Sequence, residues 1–258
     1  MKVYMSEMYE VMPTVAIAHA DQAGSGMDIL DARATELKKY ADVLGYNVID
    51  ICGSDLTYEC MTDILQVTKP AVLFNFSYGC KEYLMGNPVN GIMRRTLTSG
   101  NDDCPTPSVA GASISQEDSE ILYGTNNLHA VAGTAVIAYS SHAASQLGPE
   151  IIKAGSPAFV GFSEDLVIVS DDTKTQDIFR DALLPLAKRI LQGWTVGAAV
   201  EATRIDLVNK IKEYKVKGSD LISLPMFYNR RSLTLLGDPN WKLKGVQPQY
   251  LHFINPRG

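Results

Sequence analysis

Short apolar runs alternate along the chain with segments whose apolar residues recur every three or four positions. That pattern predicts β-strands interleaved with amphipathic helices, hence an α/β fold with a mostly parallel central sheet flanked by helices. Thr14 to Ala20 (TVAIAHA) is the first predicted strand. A helix from about Ile29 to Leu44 follows, with Leu30, Ala34, Leu37 and Ala41 at helical spacing and Gly45 to close it. Asn47 to Cys52 (NVIDIC) is the second strand, and Thr57 to Val67 the second helix, ended by Pro70. Ala71 to Phe76 (AVLFNF) is a third strand, apolar enough to be buried on both faces.

From Gly79 to about Ser119 the rhythm breaks. Gly86, Asn87, Pro88, Asn90, Gly91, Gly100, Asn101, Pro105 and Pro107 mark an elaborated loop. Ala135 to Tyr139 and Ala158 to Phe162 are the next strands. Between them Ala143 to Ala154 reads as a short helix whose first turn Gly148-Pro149 interrupts. Helices over Thr175 to Gln192 and Thr195 to Tyr214 follow, then a strand over Ser232 to Leu236 and a turn at Gly237-Asp238-Pro239. No repeat or linker divides the chain, so residues 1–258 are expected to form one domain, with 79–119 as an insertion and 241–258 as a tail.

Composition narrows the function classes. At 258 residues and 46% hydrophobic the chain has ample material for one sizeable core. A net charge of −6 provides no field to draw in nucleic acid or anionic lipid. The lysines at 210, 212, 215 and 217 interleave with apolar residues and Glu213, as on a solvated helix face. No run is long and apolar enough to span a bilayer, and Glu7 and Glu10 interrupt the only stretch resembling a leader. Cys52, Cys60, Cys80 and Cys104 are scattered, which suits reduced thiols in a cytoplasmic protein. The four histidines show no metal-ligand spacing, so neither a metal nor a cofactor is expected.

Ligands of open parallel sheets bind beyond the carboxyl ends of the strands. Gly24-Ser25-Gly26 after the first strand would cradle a phosphate, but Ile29 stands where a dinucleotide fingerprint needs its third glycine. A flexible turn is the simpler reading. Two other strand ends are richer: Ser77-Tyr78-Gly79 after the third strand, and Ser140-Ser141-His142-Ala143-Ala144-Ser145-Gln146-Leu147-Gly148 after the fourth.

In the order and separation of these segments the chain resembles the caspase-like (clan CD) cysteine peptidases, in the branch of gingipain-like and CHAT-domain proteins. The likeness runs from about Pro70 to Pro239 and includes Ala158 to Phe162, Phe179 to Leu191, Gly193 to Arg204 and Leu235 to Pro239. It implies a three-layer caspase-like sandwich. It also implies a histidine as general acid/base after one strand and a nucleophilic cysteine after the next. Tyr78 occupies the histidine position and Ser141 the cysteine position. A phenol with a pKa near 10 is a poor base at neutral pH, and a serine hydroxyl is a weak nucleophile until a base takes its proton. The dyad acts as a unit, so losing both members removes most of the rate enhancement.

The expectation is therefore a pseudopeptidase that binds a protein or peptide partner, with homo-oligomerisation through sheet edges as a further implication of the likeness. His142 and Cys80 are the candidate substitutes. Successive side chains at a strand end point to opposite faces, which disfavours a Ser141–His142 pair, and a lone Cys80 is more often a small core residue. His19, Asp21, Glu164 and Asp165 either line a substrate pocket or are solvated loop charges. Two alternatives stay open: a hydrolase using Ser141 or Cys80 with His19 or His129 as base, and a small-molecule or phosphate-binding module at Gly24 to Gly26.

Overall fold

The apolar runs become the strands of one sheet. In a computed structural model, which describes residues 12–20, 27–86, 120–123, 126–169 and 173–244, they are β1 (Thr14–His19), β2 (Asn47–Cys52), β3 (Val72–Phe76), β6 (Ala135–Ala138), β7 (Ala158–Phe162) and β8 (Leu233–Gly237). The order is β2-β1-β3-β6-β7-β8, parallel throughout except for β8, which runs antiparallel at the edge. Every residue of β3 and β7 is buried, as strands covered on both faces must be.

Six helices cover the sheet: α1 (Met27–Val43), α2 (Tyr58–Thr68), α3 (Leu147–Lys153), α4 (Thr173–Leu191), α5 (Val196–Val216) and α6 (Asp220–Ser232). Strand alternation divides the layers. Tyr139, just past β6, reaches one face and donates its hydroxyl to the Leu183 carbonyl of α4. Phe159 on β7 is paired with Val136, of the opposite parity, and meets Gly148 of α3 on the other face. The result is a three-layer α/β sandwich, with one continuous apolar core running through sheet and helices.

Local chemistry sets the boundaries. The Thr57 hydroxyl accepts the amide of Cys60 at 3.3 Å and caps α2, and Lys69, left-handed at φ 43°, ends it just before Pro70. Pro149 falls in the first turn of α3, where amides have no intrahelical partner, so it opens that helix instead of breaking it. The predicted helix over 143–154 is shorter than expected. Residues 141–146 are turns tied to the loop after β7, and the helix starts at Leu147. Gly148 is obligatory there, because a Cβ would stand 2.8 Å from the Phe159 ring and 2.9 Å from Leu236.

Two short strands and one helix, α6, escape the sequence pattern. β4 (Tyr83–Met85), within the expected insertion, pairs antiparallel with β5 (Glu120–Tyr123), just after it, in a separate two-stranded sheet. Residues 87–119 of that insertion and 245–258 of the tail lie outside the described residues, as do Asp21 and Gly24 to Gly26. Among the described residues no helix is long and apolar enough to cross a membrane.

Candidate functional site

Two strands that end side by side build the site. β3 and β6 pair in register from Val72↔Ala135 to Asn75↔Ala138, and the Tyr139 amide extends the ladder to the Asn75 carbonyl. One residue further the two chains are tied by side chains. Ser140 Oγ donates to the Ser77 carbonyl at 2.5 Å, and the Asn75 amide donates to the hydroxyls of Ser77 (2.9 Å) and Ser140 (3.2 Å). Asn75, Ser77 and Ser140 are all buried, and such groups are tolerated only when they satisfy one another. Above this tie stand Tyr78 and Ser141, each one residue beyond a member of the network. Gly79 lets the strands approach so closely, since a Cβ would lie 2.8 Å from that of Ser140.

The side chain at each expected catalytic position is committed to packing or scaffolding. Tyr78 is half-buried against Cys80, Tyr83 and Met85, and its carbonyl accepts the Met85 amide at 2.9 Å. Ser141 Oγ accepts the Leu166 amide at 3.0 Å, its one hydrogen bond among the described residues. Activation of that hydroxyl requires a base accepting its proton, and among the described residues no hydrogen bond runs from Ser141 Oγ to one. His142 turns to the loop after β7. Its amide donates to the Glu164 carbonyl at 3.0 Å, and its Nε2 lies 3.1 Å from Asp165 Oδ1. It adopts φ 58°, a left-handed conformation that non-glycine residues hold only under constraint. Ser145 Oγ donating to the Ser163 carbonyl and the Ala144 amide donating to the Phe162 carbonyl complete the lacing of the two loops.

Cys80 is fully buried and its sulfur is in a disulfide, so it offers no thiolate; among the described residues the expectation of reduced thiols holds for Cys52 and Cys60. His129 is exposed and precedes the amino end of β6, on the far edge of the sheet, where its Nε2 meets the Gln66 amide at 2.7 Å. Of the four residues expected to line a pocket, Glu164 and Asp165 do share the loop after β7, where Glu164 faces Arg231 at 3.5 Å. His19 is not with them. β1 and β7 stand three strand spacings apart, roughly 14 Å.

His19 instead belongs to a second cluster, which the sequence pattern did not reveal. It is buried at the end of β1, with Nδ1 2.6 Å from Asp31 Oδ1 on α1 and Nε2 2.8 Å from Asp50 Oδ1 on β2. Lys38 donates to the other Asp50 oxygen at 2.6 Å. Burial opposes the charge on Asp50, and the hydrogen bonds from Lys38 and His19 outweigh it, holding the carboxyl below its ordinary range. The same contact to Asp50 raises the Lys38 ammonium above its ordinary value. The visible signal was a polar residue inside an apolar strand: Asp50 in NVIDIC, and likewise Asn75 in AVLFNF.

No family model matches the chain, and neither does any curated protein.

Proposed function

We propose that this protein is a caspase-like pseudopeptidase, binding a peptide or protein partner along the carboxyl edge of β3 and β6 without cleaving it. One observation carries the reading. Neighbouring parallel strands run on, two and three residues past their ends, into Tyr78 and Ser141, a phenol and an alcohol, where the peptidases this chain resembles hold an imidazole and a thiol. Three further contacts support it. Ser141 takes the Leu166 amide, His142 turns to Asp165, and the Cys80 sulfur is in a disulfide. The chain's net charge of −6 argues for a protein ligand over nucleic acid or an anionic membrane. The open edge of β8 is the surface through which copies would pair into a homo-oligomer. The sequence led us to expect a cytoplasmic protein, yet disulfides persist chiefly in oxidising compartments, so the bridge at Cys80 favours a non-reducing location in this proposal.

The test is incubation with a broad panel of peptide substrates and with thiol-directed probes, before and after reduction. Turnover should stay at background throughout, and any probe labelling should leave it unchanged. Before reduction the probes should label no Cys80; after reduction they should reach the opened disulfide. Peptide hydrolysis that Ser141→Ala abolishes would overturn the proposal.

A further inference from the structure

The neighbouring corner of the sheet holds a donor set that the proposed cleft does not use. His19 and Cys52 close β1 and β2 and are register partners, so their side chains leave the same face. Asp50, two residues before Cys52, shares that face. One imidazole nitrogen of His19, one Asp50 oxygen and the Cys52 Sγ all lie within 4.8 Å of one another. The geometry points to a divalent metal site here, with His19, Asp50 and Cys52 as ligands, Asp31 orienting the imidazole, and Zn2+ as the ion.

The donor chemistry selects the metal. Magnesium and calcium take oxygen ligands, whereas a mixed nitrogen, oxygen and sulfur set suits a borderline-soft ion such as zinc. Metal-binding histidines characteristically donate their second N–H to a carboxylate, which fixes tautomer and ring orientation. Asp31 does this at Nδ1 with a 2.6 Å contact, and so aims Nε2 at Asp50. Lys38 occupies the other Asp50 oxygen and leaves Oδ1 for a single bond to the ion. A tetrahedral zinc with bonds of about 2.0 to 2.3 Å needs ligand atoms roughly 3.3 to 3.6 Å apart. The 2.8 Å separation of His19 Nε2 and Asp50 Oδ1 therefore has to widen by only about half an ångström.

Access and charge agree with this. His19 is buried, but Asp50 and Cys52 are partly exposed, and Cys52 is not disulfide-bonded, so an ion arriving from solvent meets carboxylate and thiol first. On binding, Cys52 loses its thiol proton, and the proton lying between His19 Nε2 and Asp50 Oδ1 leaves as well. Two protons pass to solvent as the S–Zn and N–Zn bonds form. The thiolate and the Asp50 carboxylate then neutralise the dication, while Asp31 and Lys38 balance each other. Three protein ligands leave a fourth position for water, the pattern of zinc sites that do chemistry.

The test is titration of the full chain with Co2+ in oxygen-free buffer, followed by displacement with Zn2+. The expected result is one Co2+ per chain, a thiolate-to-cobalt charge-transfer band, intense visible absorption of a tetrahedral ion, and bleaching of both by Zn2+. Cys52→Ser should abolish the charge-transfer band with circular dichroism unchanged. Asp31→Asn should keep the band and weaken binding by about 10- to 100-fold. His19 is spared because its removal is expected to cost stability. Either failure to take up Co2+ and Zn2+, or a band surviving in Cys52→Ser, overturns the site.

Discussion

Two adjacent corners of one sheet edge solve the problem of buried polarity in opposite ways. At the β3–β6 corner, Asn75, Ser77 and Ser140 form a neutral network whose members satisfy one another, capped by Tyr78 and Ser141. At the β1–β2 corner, His19 is held between two carboxylates, with Lys38 closing the chain of charges. A neutral network is rigid and specifies strand pairing, but it has no group that changes protonation near neutral pH. A cluster of carboxylates around a histidine instead offers lone pairs to a metal. The corner where the family resemblance expects proton transfer is the one whose buried strand tie carries no titratable side chain.

The contrast predicts unequal costs of breaking each corner. His19→Ala should be the most damaging single change. It leaves Asp31 and Asp50 facing one another across a cavity. Breaking a buried pair costs roughly 3 to 5 kcal/mol, and the two carboxylates, each about a third exposed or less, recover some of that from water. About 3 kcal/mol is expected in urea unfolding monitored by circular dichroism. Asn75→Ala should follow at about 2 kcal/mol, because it removes the donor to two buried hydroxyls, which keep only their bonds to the Ser77 and Tyr78 carbonyls, without leaving any charge unpaired. If the asparagine variant proved the less stable of the two, the neutral network would be the main anchor of the edge. The comparison would then be inverted.

Much of the framework was legible because burial on both faces demands continuous apolar runs, and the strands of the main sheet coincide with those runs to within one or two residues. Most of what was missed shares one cause: the information is not local. The partner of Asn75 is Ser140, 65 residues on, and the partner of His19 is Asp50, 31 residues on. Position at a strand end told which edge His19 occupies; which neighbours it meets is decided by the face, and that face is covered by α1. β4 and β5 are short and pair across more than thirty residues of chain, so no hairpin signal links them. α6 hides for a different reason. Its buried Ile222, Met226 and Asn229 follow helical spacing, but exposed Leu221, Leu224, Phe227 and Tyr228 blur the apolar stripe, and Pro225 sits inside it.

The smallest expected effect is the most discriminating. In Ser141→Ala the only described bond lost is the one accepted from the Leu166 amide, at a partly exposed position where water can replace it. A cost of no more than about 1 kcal/mol is expected, with peptide turnover at background before and after the change. A larger cost, near that of Asn75→Ala, would make Ser141 part of the neutral network instead of its cap. The hydroxyl at the position that the resemblance assigns to the nucleophile would then be retained for stability, and the proposed partner-binding surface would have to be sought on the side of the loop carrying Glu164 and Asp165. A small cost leaves Ser141 where the comparison has it: at the rim of a corner whose rigidity comes from the residues beneath.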